Sequence, residues 1–267
     1  MKTALNKEAI RQHLRAAVLG NEIIVLDEVN STNDYAKQSV KRHGTVVLAE
    51  KQNAGKGRMG RTWESPRGRS ILMSVVLRPG QHSPSLPLIN LAAGLAVAQA
   101  IERHSALSPT VKWPNDVWIA GKKICGILAE GQYRGEALTA LIIGIGCNVN
   151  QQPDEFPDRL RWPATSLAME VGAPVDRNPL IAAILNALES WYDSIRAGEV
   201  HHMLAEWKTK CGHRNAPVRV IREAGEVNGI FRDVTPEGAA QIERPSGDME
   251  TIFSGDLTPL IAPEPKK

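Results

Sequence analysis

The sequence predicts an α+β protein: a mixed β-sheet with flanking helices over residues 1–212, followed by a small all-β barrel over residues 213–267. Three observations carry this. Up to Lys210, apolar stretches of period 2 and of helical spacing are mixed, with several strands in succession and few helical crossovers between them. From about Gly212 only short alternating stretches broken by Gly and Pro remain. And 267 residues, at roughly one domain per 150, make one large domain and a half, enough to bury a core without disulfide staples.

Ala9 to Leu19 opens the chain, with Ile10, Leu14, Ala17 and Val18 spaced as on one face of a short helix. Glu22 to Val29 reads as a strand, Asn33 to Arg42 as a polar helix capped by Ser31 or Thr32, and Thr45 to Glu50 as a β-branched strand. Ser70 to Leu77 is a strand and Leu86 to Arg103 a largely buried helix. Val111 to Trp113, Val117 to Ile119, Ile124 to Glu130 and Leu138 to Ile145 are successive strands separated by turn residues. Pro153 to Pro163 is an irregular loop, then Asn178 to Arg196 and Val200 to Lys210 are helical. The barrel strands are Val218 to Ile221, Glu226 to Val234, Ala239 to Glu243 and Met249 to Ser254, a unit large enough to fold independently, and the Pro263 to Lys267 tail is expected to fray.

Composition excludes several classes. Hydrophobic content of 42% with 23% charge describes a globular chain, not a disordered one. The longest apolar stretches, Leu86 to Ile101 and Ala137 to Val149, fall short of the ~20 residues that span a bilayer. No secretory signal pattern opens the chain, so no membrane partner is expected. Cys125, Cys147 and Cys211 are odd in number and far apart, as in reduced cytosolic proteins, so the expected location is the cytoplasm. His201, His202, Cys211 and His213 are too loosely spaced for a zinc site.

The net charge of +3 is concentrated. Between Glu50 and Ser70 six cations, Lys51, Lys56, Arg58, Arg61, Arg67 and Arg69, face two anions, Glu50 and Glu64. Inside this segment Gly55, Gly57 and Gly60 alternate with Lys56, Arg58 and Arg61, a pattern that brings backbone and cations close to a polyphosphate. It satisfies G-x-G-x-x-G formally, but Thr62-Trp63-Glu64-Ser65-Pro66 starts no helix and no Asp or Glu occurs between Glu64 and Glu102, so the dinucleotide fold is excluded. No Walker P-loop is present. The alternatives are a solvated basic loop or a nucleic-acid contact; as a binding loop it would be mobile when empty and ordered by an anion.

Other segments also admit two readings. Ser31-Thr32-Asn33 suits a helix cap, Gln52 an exposed strand end, Lys112 to Asp116 an Asx turn, and Lys122 and Lys123 a hairpin surface. Gly144 and Gly146 interrupt a strand from Leu141 to Val149, which marks either a bulge or close approach of a ligand.

Three motifs decide among these. Lys56-Gly57-Arg58-Met59-Gly60-Arg61-Thr62-Trp63, Lys112-Trp113-Pro114-Asn115-Asp116 and Lys123-Ile124-Cys125-Gly126-Ile127-Leu128-Ala129-Glu130 resemble, in order and spacing, the biotin protein ligases (biotin–[acetyl-CoA-carboxylase] ligases), and the resemblance runs from Glu22 to the C-terminus. It implies a class II synthetase-like ligase domain with an SH3-like barrel. The implied activity is ATP-dependent formation of biotinyl-5'-AMP and transfer of biotin to a lysine of a biotin carboxyl carrier protein. By the resemblance, Ser31, Thr32, Asn33, Gln52, Lys56, Gly57, Arg58, Lys123, Gly126, Gly144 and Gly146 hold biotin. Arg58, Arg61, Lys112, Asn115, Asp116, Asn148 and Trp162 hold ATP, and Lys123, Arg58 and Lys56 are catalytic. Trp162 is expected to stack on adenine, and Asp116 to meet the Mg2+ carried by ATP through water. Many relatives have Arg where this chain has Lys56, which keeps the charge and loses the bidentate fork.

Two rivals differ in chemistry. Lipoate or octanoate ligation on a related fold shares the lysine after a turn, but the basic glycine loop argues for biotin. Only about 20 residues precede the first core strand, against the ~60 of a winged helix, so a monofunctional enzyme with no specific DNA partner is expected, and a tight, sequence-specific gel shift would overturn that. A homodimer and a monomer are both left open.

Overall fold

The computed structural model describes residues 4–79 and 84–260. The expected fraying of Pro263 to Lys267 lies outside the described residues. Seven strands form one mixed sheet: β1 (Ile23–Val29), β2 (Val46–Gln52), β3 (Ser70–Leu77), β4 (Thr110–Lys112), β5 (Asp116–Ile119), β6 (Lys122–Arg134) and β7 (Ala137–Asn148). Their order is β1-β2-β3-β7-β6-β5-β4. Only β1 and β2 are parallel, joined by the crossover helix α2 (Thr32–Ser39); the remaining pairs are antiparallel.

Helices cover both faces. α3 (Leu86–His104) and α5 (Arg177–Arg196) pack together on one face, where Ile71, Met73, Val75 and Leu77 of β3 join the main core. α2 covers the other face through a small cluster of Ala36, Val40, Val47, Val76, Ala140 and Ile142. Every residue of β3 is therefore buried, which explains its largely apolar character, broken by Ser70 and Ser74.

The helix expected over Ala9 to Leu19 stops early, as α1 (Lys7–His13). The reason is tertiary. Asn186 Oδ1 accepts the amides of Arg15 and Ala16, and the Glu189 carboxylate accepts those of Ala17, Val18 and Leu19, so this stretch bonds to α5 instead of to itself. A short helix not foreseen, α4 (Leu167–Val171), follows the 153–163 loop and is capped by Ser166. α6 (Val200–Lys210) completes the helical layer.

Beyond it, β8 (Pro217–Arg222), β9 (Gly225–Val234), β10 (Ala240–Glu243), β11 (Met249–Ile252) and β12 (Asp256–Pro259) form an antiparallel sheet in the order β11-β10-β9-β8-β12. This sheet packs against the larger part of the chain. Val218, Phe231, Ile242 and Leu257 belong to the same continuous apolar cluster as α3 and β7. Polar ties reinforce this: Trp113 Nε1 donates to Gly238 O at 3.1 Å and Ser85 Oγ to Glu237 O at 2.5 Å. The small sheet is a second lobe on a shared core. Among the described residues, no helix is long and apolar enough to cross a membrane, and the three cysteines are free thiols.

Candidate active site

The site lies where α2, the basic loop and the ends of β5, β6 and β7 converge. α2 starts with Ser31, whose side chain accepts from Asp34 N, as a cap should. Thr32 and Asn33 are buried at that helix start. Thr32 N and Oγ1 donate to Gln52 Oε1 at 2.7 and 2.9 Å, and Asn33 Nδ2 donates to Glu130 Oε2 at 2.7 Å. Ser74 Oγ lies 2.7 Å from Thr32 Oγ1 and 2.5 Å from Asn33 Oδ1. The result is a polar end wall locked by hydrogen bonds, one of them to the Glu130 carboxylate, with Gln52 inside it and not an exposed strand end.

Gly144, Gly146 and Gly126 form the floor. The registers Ser74↔Gly144 and Gly126↔Gly146 run through without a bulge, which removes that reading of the glycines. Close approach is what they allow, but by protein groups: a Cβ on Gly144 would sit 2.5 Å from Asn33 Oδ1, and one on Gly146 2.5 Å from Trp63 Cε2. The slot expected for a bicyclic ring is thus occupied in part by the Trp63 indole, because the loop folds back over β7 and lays that ring there.

The loop is a tight hairpin. Lys56 and Thr62 pair as a bridge, Gly57 N donates to Arg61 O at 2.7 Å, and Trp63 N to Gly55 O at 2.9 Å. Its cations find carboxylates. Lys56 Nζ is 2.7 Å from the Asp34 carboxylate, and Arg61 Nη2 is 2.5 Å from Asp256 Oδ2, which also pairs with Arg161. Arg58 turns inward, donating to Asn115 Oδ1 at 3.3 Å and Gly255 O at 3.1 Å, and burial lowers its guanidinium from the ordinary value.

A row of buried charge lies beneath. Lys123 Nζ is 2.7 Å from Asp116 Oδ1 and 5.7 Å from the Trp63 ring centre; Lys112 Nζ is 3.7 Å from Asp116 Oδ2. Burial alone would raise the Asp116 carboxyl, but Lys123, Lys112 and Arg61 together outweigh it and hold it below the usual carboxylate range. Burial brings Lys112 down to about 8, against the opposing pull of Asp116.

Two adjoining cavities result. The first is lined by Ser31, Thr32, Asn33, Gln52, Lys56, Gly57, Arg58, Asn115, Asp116, Gly126, Gly144 and Gly146, so the structure brings all of these expected residues together. The second is lined by Asn148, Trp162, Arg159, Arg161 and Phe156. Arg61, Thr62, Trp63 and Lys123 line both and form the partition between them.

Three expected residues lie outside the first cavity. Lys112 lines neither cavity. Asn148 is buried with its amide engaged at both ends, donating to Thr165 O at 3.1 Å and accepting from Gln151 Nε2 at 2.9 Å. Trp162 packs against Trp118, ring centres 5.4 Å apart. Lys122, expected to be solvated, pairs with Glu170 at 2.7 Å. The residues not anticipated are Trp63, Met73, Arg161 and Asp256. Trp63 stood inside a quoted motif, but no local signal announces Asp256, which arrives from β12.

Known proteins share this arrangement. Residues 25–148 match the Biotin/lipoate A/B protein ligase family, and residues 213–257 match the Biotin protein ligase C terminal domain. The chain is 36% identical over 256 residues to the Bifunctional ligase/repressor BirA of Bacillus subtilis, covering 95% of itself and 78% of that protein. It is 32% identical over 276 residues to the Biotin–[acetyl-CoA-carboxylase] ligase of Mycobacterium tuberculosis, covering 97% of each. The Biotin protein ligase from Aquifex aeolicus in complex with biotin and ATP superposes with a TM-score of 0.81 at 29% identity, covering 90% of this chain and 99% of that one. With both parts of the chain matched and the likeness spanning nearly its whole length, this chain belongs to the biotin protein ligase family.

Proposed function

We propose that the chain activates biotin with ATP to biotinyl-5'-AMP and transfers the biotinyl group to a lysine of the biotin carboxyl carrier protein of acetyl-CoA carboxylase or a related carboxylase. The observation that carries this is the partition: Lys123 belongs to the walls of two adjoining cavities, one polar-ended and floored with glycine, the other ringed by arginine and tryptophan. A carboxylate in the first and a triphosphate in the second would meet at its ammonium.

In this reading the polar wall of Ser31, Thr32, Asn33 and Gln52 receives the ureido group, over the floor of Gly126, Gly144 and Gly146. The Trp63 Nε1–H is buried over Gly146 without an acceptor among the described residues. A biotin carboxylate oxygen attacks the α-phosphorus, the bond to pyrophosphate breaks, and Lys123, Arg58 and Lys56 offset the charge that accumulates. Arg61, Asn115, Asn148 and Trp162 are the nucleotide side, with Asp116 acting on it only through Lys123. The acceptor amine then attacks the biotinyl carbonyl, AMP leaves, and the amine loses its proton. No covalent bond to the protein is required; positioning and exclusion of water suffice.

Mg2+ enters this reading with the triphosphate. Asp116 does not suit it even through water, since the carboxylate is buried with one oxygen on each of two lysines. Among the described residues, those before Gly212 supply both cavities except for Asp256 of β12. The free thiols fit a reducing compartment, the cytoplasm.

The test is pyrophosphate exchange into ATP, run with biotin and then with lipoate and octanoate. Exchange that depends on biotin alone is the expected result. Exchange indifferent to biotin, or preferring the lipoyl or octanoyl acid, overturns the reading.

A further inference from the structure

Lys112 is a buried cation, 5% exposed, and it lines neither cavity. Its ammonium lies 5.6 Å from the Trp118 ring centre and 5.4 Å from that of Trp162, and 3.7 Å from Asp116 Oδ2. Burying a cation costs stability unless something is gained. The lowering of Lys112 to about 8 records that cost. The carboxylate partner of Lys112 is Asp116, which does line the first cavity.

Asp116 is the centre of the charge cluster. Lys112 faces it from β4, Lys123 from β6, Arg61 and Arg58 from the basic loop, and Arg161 from the segment before α4. Of these five cations only Lys112 stands away from both cavities. Lys123 and Lys112 take one Asp116 oxygen each, at 2.7 and 3.7 Å, so the carboxylate is held from behind by one lysine while it holds the other forward.

We propose that Lys112 is a positioning residue for the ligase reaction: it fixes the Asp116 carboxylate, and that carboxylate fixes the Lys123 ammonium in the partition between the cavities. The backbone favours the same chain of command. Lys112 and Asp116 are direct partners across β4 and β5, and Asp116 is the partner of Gly126 across β5 and β6, whose missing side chain leaves room for the Lys123 tail: a Cβ there would come 3.2 Å from Lys123 Nζ. Without Lys112, Asp116 is free to turn between Lys123 and the loop arginines, and Lys123 loses its single orientation. The proposal rests on the reading of Lys123 as the group that meets both substrates.

The test uses the full chain and biotin-dependent pyrophosphate exchange. Lys112→Met, of similar length and without charge, should lower kcat about tenfold or more, the effect usual when the partner that orients a reacting group is removed, with KM for biotin within about twofold. Lys112→Arg, which keeps the charge, should stay within about threefold of the parent. In a Lys123→Ala background, Lys112→Met should cost no further activity, because nothing remains for it to position. If Lys112→Met leaves kcat unchanged, or loses as much in the Lys123→Ala background as in the parent, the proposal is overturned. Should Lys112→Met lack a cooperative melt, Lys112→Gln enters the same cycle. A parent enzyme with no biotin-dependent exchange is a separate outcome, one that removes the functional reading itself.

Discussion

The basic loop and the β4–β6 charge row carry similar numbers of cations, yet they are built on opposite terms. In the loop, Lys56 and Arg61 are half exposed, 46% and 42%, and their carboxylate partners Asp34 and Asp256 come from α2 and β12. In the row, Lys112 and Asp116 are 5% and 8% exposed and pair within a rigid sheet. Exposed pairs are worth about 1 kcal/mol or less and exchange readily for a better anion, whereas breaking a buried pair is costly. The loop is therefore suited to trade its carboxylates for ligand phosphates, and the row to remain fixed while it does.

Breaking the fixed row gives the largest effect. Lys123→Ala should slow adenylate formation about a hundredfold or more, the usual loss when one preorganised charge donor is removed, while the cooperative melt persists; single-turnover formation of biotinyl-5'-AMP measures it, and near-normal turnover would remove Lys123 from the partition. Next comes the floor. Gly146→Ala places a Cβ where Trp63 lies, 2.5 Å from Cε2, and should raise the Kd for biotin about tenfold by displacing the indole. Titration calorimetry with biotin checks it, and unchanged affinity would mean the ring moves aside freely.

The loop is the next smaller target. Asp256→Asn leaves Arg61 and Arg161 facing each other without their shared carboxylate. Because both arginines are more than a third exposed, the stability loss should be only about 1 kcal/mol, while KM for ATP rises several-fold and KM for biotin stays put. Steady-state kinetics varying each substrate separates the two constants.

The smallest effect is a pH dependence. Lys112 titrates at about 8 in the fold against 10.5 for an ordinary lysine. Between those values the unfolded chain holds the proton that the fold has lost, so the Lys112 contribution makes stability rise with pH through that window. The stability of the parent relative to Lys112→Met should therefore rise between pH 8 and pH 10. Denaturant melts of both proteins across the range measure it, and a parent that loses ground to the variant with rising pH would contradict the sign.

Local chemistry made much of this legible in advance. Ser31 as a cap, the largely apolar β3, the turn before Lys123 and the glycine-spaced cations each express a preference readable within about ten residues. What escaped was set by distant partners. Leu14 to Leu19 has helical spacing, but Asn186 and Glu189 take its amides. Asn148 has the chemistry of a phosphate contact, yet Thr165 and Gln151 use it first. Lys112 sits in a nucleotide motif, yet it lines neither cavity because Asp116 and the Trp118 and Trp162 rings surround its ammonium. Hydrogen-bonding capacity can be read from a residue; which neighbour claims it cannot.

The Arg61–Asp256 pair joins residues 195 positions apart. Such a contact cannot form in a short fragment and closes late in folding, after the sheets that carry its two ends. A growing polypeptide can thus complete the glycine floor and polar wall from its first 150 or so residues while the mouth above them is still unfastened. Pulse-labelled amides of the basic loop would then gain protection last, and competence for nucleotide would mark the end of assembly for the whole molecule.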